Sequence, residues 1–101
     1  MTTITVSKTS ITVEGHAEYA DKGQDIVCAA VSAITCALME WVRVNGNLTP
    51  HSDIVQRDGY VRVFYSNPWA WEDVREFAVM GYKLIANAYP DHVKIIYSQQ
   101  G

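Results

Sequence analysis

From Asp25 to Val44 the apolar residues Val27, Val31, Ile34, Leu38 and Trp41 recur at steps of three and four, a stripe that only a helix gathers on one side. A second stripe runs through Trp71, Val74, Ala78, Gly81, Ile85 and Ala88. Ser66 or Asn67 can cap that helix, with Pro68 at its first position, Glu72 and Asp73 in its first turns and Pro90 closing it. Each helix has a single apolar face, so each needs a cover, and the rest of the chain reads as strands. Thr3 to Ser7 and Ser10 to Ala17 alternate apolar with polar residues across the turn Lys8-Thr9-Ser10. Ser52 to Arg57 and Tyr60 to Tyr65 flank Asp58-Gly59, a two-residue hairpin signal, and His92 to Ser98 puts Val93, Ile95 and Tyr97 on one side of a last strand. The order ββαββαβ predicts an α+β fold: one small domain over residues 1–101, a mainly antiparallel sheet packed with two helices. Asn45-Gly46-Asn47 stops the first helix, and Gly81 inside the second costs about 1 kcal/mol relative to alanine, which marks a close approach.

Composition narrows the function classes. At 101 residues, 49% hydrophobic and 19% charged, the chain can bury a modest core, and association with a second copy would add to its stability. A formal net charge of −3 offers no basic field, so no direct nucleic-acid partner is expected. Met1 to Val6 lacks the basic start and apolar block of a signal peptide, and no continuous apolar run approaches the roughly 20 residues of a membrane span. No membrane partner is expected. Cys28 and Cys36 lie eight residues apart in one helix, about 12 Å of rise, beyond disulfide reach. Both thiols are expected free, in the cytoplasm.

The chemistry-bearing residues bracket the connection from the second strand to the first helix. Asp25 is a good N-cap, because its carboxylate can accept an N–H two or three residues on. Cys28 then falls at the third helical position, where unpaired N–H groups and the positive end of the macrodipole favour a thiolate over a thiol. The charge of Asp25 pushes the other way unless it caps the helix or faces aside. His16, by strand parity, lies opposite Ile11 and Val13 or just past the strand end, and Gly15 beside it lets another backbone come close. An imidazole there can serve as general base to Cys28. Spacing alone does not separate this from a surface histidine and a buried, inert cysteine. A zinc site would have only two of about four ligands, so neither metal nor cofactor is expected.

Gly15-His16-Ala17, Tyr19-Ala20, Gly23 and the run Asp25-Ile26-Val27-Cys28-Ala29-Ala30-Val31-Ser32 closely resemble the motif of the ribosomal-processing cysteine protease (Prp) family, and Asp58-Gly59-Tyr60 and Tyr89-Pro90-Asp91 look like its later landmarks. The resemblance implies a cysteine endopeptidase with His16 and Cys28 as a catalytic dyad and a homodimeric assembly. It also implies a protein substrate: the precursor of a large-subunit ribosomal protein, trimmed of a short N-terminal extension, or, in phage-borne relatives, a capsid or scaffold protein. N–H groups at the helix start would then serve as oxyanion donors. Asp25 and Ser32 are candidate supporting residues, with helix capping and a bond back to a helix carbonyl as their plain alternatives. The loop Glu18 to Gln24, with Tyr19 and a Gly23 hinge, can close over a peptide or simply connect two elements.

Two rival readings stand beside the protease: a dimeric domain that binds a ribosomal or capsid segment without cutting it, and a redox-sensing thiol at Cys28. The second lacks a resolving partner close in sequence. Cys36 reads as structural, and His51 and His92 as solvated. Trp69, Trp71, Tyr60, Tyr65 and Tyr97 can equally grip a peptide or fill a core and an interface.

Overall fold

Strand alternation and two one-faced helices resolve into two layers. The computed structural model describes residues 1–21, 25–45, 52–65 and 68–99, with the backbone alone for 68–70. The strands are β1 (Thr2–Val6), β2 (Ser10–Gly15), β3 (Asp53–Arg57), β4 (Tyr60–Phe64) and β5 (Val93–Tyr97), and the helices are α1 (Ile26–Asn45) and α2 (Pro68–Ala88). They form one sheet in the order β3-β4-β2-β1-β5. Every pairing is antiparallel except β1 with β5. That exception has a topological cause: β4 and β5 run the same way, so the chain must cross over between them, and α2 is the crossover. The expected caps Ser66 and Asn67, the stop residues Gly46 and Asn47, and His51 lie outside the described residues.

One face of the sheet carries the core. Ile4 and Val6 of β1, Ile11 of β2, Val63 of β4 and Val93 of β5 pack with Val27, Val31, Leu38, Met39 and Val42 of α1 and with Trp71, Ala78, Val79 and Tyr82 of α2. The helical stripes are wider than their sequence periodicity suggested. Thr35, Met39 and Val42 are buried on α1, as are Val79 and Tyr82 on α2, whereas Ala88 is exposed. Helices flanked by both a sheet and each other bury more than one row of side chains. Gly81 sits where α2 meets α1: a β-carbon there would lie 2.7 Å from Cδ1 of Ile34, the close approach the sequence called for.

Two members of the aromatic set fill the core instead of gripping a ligand. Tyr65 and Trp71 are buried and stacked with ring centroids 5.5 Å apart, and Trp41 packs on Tyr65 at 5.2 Å. The Trp71 indole N–H donates to the Lys8 carbonyl at 3.2 Å, so its one polar atom stays satisfied and α2 is tied to the β1–β2 turn. Tyr97 is exposed on β5.

α1 is also long and apolar enough to cross a membrane by length and composition, contrary to the expectation that no segment would be. Here its buried face, Val27 to Val42, packs in the core described above.

Thr35 and Tyr82 join the helices through polar atoms: their hydroxyls lie 2.7 Å apart, and Thr35 donates to the Val31 carbonyl at 2.8 Å. Burial pushes the Tyr82 phenol up to about 12 from 10.0, the Thr35 hydrogen bond opposing and Cys36 adding to the shift. The unfolded chain ionises at the lower value, so this contribution is fully present below pH 10.0 and is lost as the pH rises towards about 12. Denaturant midpoints followed from pH 9 to 11.5 should fall by an equivalent of up to about 2 kcal/mol, and Tyr82→Phe should flatten that decline. An equally steep decline in the variant would assign alkaline sensitivity elsewhere.

Candidate active site

β2 ends at Gly15 because Gly15 leaves strand geometry, with φ at +89°. A side chain is excluded there twice over: that φ disfavours L-residues, and a β-carbon would collide with the Met1 carbonyl oxygen. The break cancels strict strand parity. His16 emerges just past the strand end, exposed, and lines one cavity together with Cys28. Its ring rests against the β3–β4 turn, where a β-carbon on Gly59 would lie 3.2 Å from Nε2 of His16. Gly15 N–H donates to the Gly59 carbonyl at 2.9 Å, pinning the two segments.

Asp25 caps α1 as its sequence position suggested. One carboxylate oxygen accepts the Cys28 N–H at 2.8 Å and the other accepts the Tyr19 N–H at 3.0 Å. The Cys28 N–H bond is the chief reason the Asp25 carboxyl is held below its ordinary 3.8, with the Tyr19 N–H, the Cys28 thiol and the Ala20 N–H adding to it against a desolvation cost. The carboxylate is therefore ionised at neutral pH and occupied by backbone donors. This also corrects an expectation: the Cys28 N–H is taken by Asp25, and the Ala29 N–H by the Asp25 carbonyl at 3.1 Å, so neither is a free oxyanion donor.

Cys28 is half-buried, and its sulfur accepts the Ala17 N–H at 3.3 Å. The cavity it faces, about 210 Å³, is walled by Val31, Val61 and Met39 and rimmed by Ser32, Gln56, Arg57 and Tyr60. Among the described residues no hydrogen bond joins His16 to Cys28 or Ser32 to Cys28. Cys36, read as structural, is exposed and lines the same cavity, and both cysteines are free thiols. Gly23 lies outside the described residues. Among these residues no three His, Cys, Asp or Glu side chains come together as a metal site.

Three participants were not legible in the sequence. Ala17 supplies a donor from its backbone, Gly59 supports the imidazole from another hairpin, and His92 is tied into the site rather than solvated. The His92 Nδ1 lies 2.9 Å from the Ala17 carbonyl, and the Tyr19 ring packs edge-on against both His92 and Tyr89. Only the Asp58-Gly59 pair carried a local signal, and it announced a turn.

Comparison with known proteins gives the family. The family model for cysteine protease Prp matches residues 1–94. The ribosomal processing cysteine protease Prp of Mycoplasma genitalium is 31% identical over 103 aligned positions, 94% of each chain. Its counterpart in Mycoplasma pneumoniae is 51% identical over 45 residues, 45% of each chain. In fold, the chain is similar to the essential ribosomal processing protease Prp from S. aureus, solved with a covalently linked product peptide. The TM-score is 0.82 at 23% identity, covering 97% of this chain and 100% of that one. A match over residues 1–94, with a cysteine at the head of a capped helix and a histidine across the same cavity, makes this chain a member of the cysteine protease Prp family.

Proposed function

We propose that the protein cuts a short N-terminal extension from the precursor of a large-subunit ribosomal protein, with Cys28 as nucleophile and His16 as general base and acid. The observation that carries the reading is the shared cavity of His16 and Cys28, with the Ala17 N–H directed at the sulfur. His16 takes the thiol proton, and the sulfur bonds to the scissile carbonyl carbon. The C–N bond breaks as His16 returns the proton to the departing amine, and water then hydrolyses the thioester. The names of the Mycoplasma relatives support the ribosomal substrate. Asp25 holds the start of α1 and Tyr19 in place, and Ser32 faces the substrate from the cavity rim. A reducing compartment, the cytoplasm, suits two free thiols.

The test is intact-mass analysis of ribosomal and capsid-type precursors incubated with the protein. Loss of one N-terminal segment at a single bond of the ribosomal precursor is the expected result. Cleavage of the capsid-type precursor alone would move the substrate to a phage protein, and tight binding of either without cleavage would favour the non-catalytic rival.

The working unit in this reading is a homodimer. Phe77, Met80 and Leu84 stand exposed on α2, large apolar groups at helical spacing that a second copy would bury. Sedimentation should report a dimer for the wild type and a monomer for Leu84→Asp; a wild-type monomer at micromolar concentration would discard the dimer.

A further inference from the structure

We infer that His92 is a positioning residue for catalysis, holding the Ala17 N–H on the sulfur of Cys28 by anchoring the Ala17 carbonyl. The inference rests on Cys28 being the nucleophile. Ala17 is bonded on both sides: its N–H donates to Sγ of Cys28 at 3.3 Å, and its carbonyl oxygen lies 2.9 Å from Nδ1 of His92. A carbonyl only accepts, so Nδ1 carries the proton, and it does so in both the neutral Nδ1–H tautomer and the imidazolium. The anchor itself is firmly seated. The His92 N–H donates to the Tyr89 carbonyl at 3.0 Å, and the His92 carbonyl accepts the Thr2 N–H of β1 at 2.9 Å.

The segment needs such an anchor. Glu18, the next residue, is held at φ +57°, a left-handed conformation that costs a non-glycine residue about 1 kcal/mol or more and persists only where neighbours enforce it. Its neighbours on both sides are tied down, Ala17 to His92 and Tyr19 to Asp25. Without the His92 bond, relaxation of Glu18 carries Ala17 with it. A drift of about 1 Å is enough to take a 3.3 Å contact out of hydrogen-bond range. A donor on the sulfur holds it in a fixed direction for attack, so losing it should be felt in the nucleophile. The ionisable groups near Cys28 are Asp25 at the helix cap and, around the cavity, His16, Cys36, Arg57 and Tyr60.

The experiment compares His92→Asn with His92→Leu, side chains of the same shape, one with a donor and one without. Alkylation of Cys28 is followed against pH by peptide mapping, alongside cleavage kinetics and thermal melts. His92→Leu should slow alkylation of Cys28 across the pH range and lower kcat about tenfold with KM within about twofold, whereas His92→Asn should stay close to wild type. Curves that overlay for the two variants, or a change confined to melting temperature, would overturn the role of His92. Should His92→Leu not fold, His92→Met supplies the same comparison. Wild-type alkylation following the curve of an ordinary free thiol would instead remove Cys28 as an activated nucleophile, and the proposal with it.

Discussion

Cys28→Ala is expected to leave a folded protein that binds its precursor and does not cut it, with turnover down by about 10⁴-fold or more. The sulfur is half-buried and accepts one hydrogen bond, so its removal opens little space and strands no buried charge. Stability should therefore change by less than about 1 kcal/mol, while the covalent route to the thioester disappears. His16→Ala is expected to cost about 10²- to 10⁴-fold in kcat, the usual contribution of a general base. The exposed imbalance between the two is informative. His16 is exposed and rests against Gly59, so its loss should hardly move the melting temperature. Cleavage persisting in Cys28→Ala at near wild-type rate would remove the nucleophile assignment altogether. Combining the two substitutions should cost no more than Cys28→Ala alone, because a base without a nucleophile has nothing to activate.

Gly15→Ala is expected to be the most damaging glycine-to-alanine change among the described residues. Two costs combine at one atom: a φ of +89°, and a β-carbon driven into the Met1 carbonyl oxygen. The collision is with backbone rather than with the movable tip of a side chain. That backbone is held in turn, since Thr2 pairs with Gly15 across β1 and β2 and its N–H donates to the His92 carbonyl at 2.9 Å. We expect a loss of about 3 kcal/mol or more, roughly 12–20 °C in Tm for a domain of this size. Activity should fall as well, because Gly15 delivers His16 to the cavity. A melting temperature within a few degrees of wild type would mean that β1 can yield at Met1, and that the close approach is not what demands a glycine. Gly81→Ala provides a contrast: its new methyl meets only the end of the Ile34 side chain, and the helix gains intrinsic propensity in return.

The prediction for Cys28 depends on local sequence more than the one for Gly15 does. A helix cap three residues before a cysteine is a local arrangement, and Asp25 was readable as such without any tertiary information. The donor on the sulfur was not. It comes from the backbone of Ala17, and a backbone N–H has no identity in a sequence. The same is true of Gly59, where the hairpin signal at Asp58-Gly59 accounts for the glycine so well that nothing suggested a second duty under the His16 ring. His92 was read as a solvated residue at a strand start. Its partner, the Ala17 carbonyl, lies at the far end of the sequence, and only the β1–β5 pairing brings the two together.

Core residues divide in the same way. Val27, Val31 and Leu38 on one helix and Trp71 and Ala78 on the other are buried where periodicity placed them. Thr35 and Tyr82 escaped because each carries a hydroxyl: Thr35 bonds back to the Val31 carbonyl, and Tyr82 is buried against the Thr35 hydroxyl at 2.7 Å. Such a pair is visible only after two helices have been docked side by side.

By itself, the sequence determined the element order ββαββαβ, the single domain, the capped helix with Cys28 in its first turn and the histidine at the end of the second strand. These depend on period, capping and turn chemistry, which act over a few residues. Tertiary structure alone decided that β5 would lie parallel to β1, that His16 would turn into the cavity of Cys28 when Gly15 broke strand parity, and that Ala17 and His92 would join the site. Those outcomes depend on which backbone atoms meet across large separations in the chain, and no local pattern encodes a meeting of that kind.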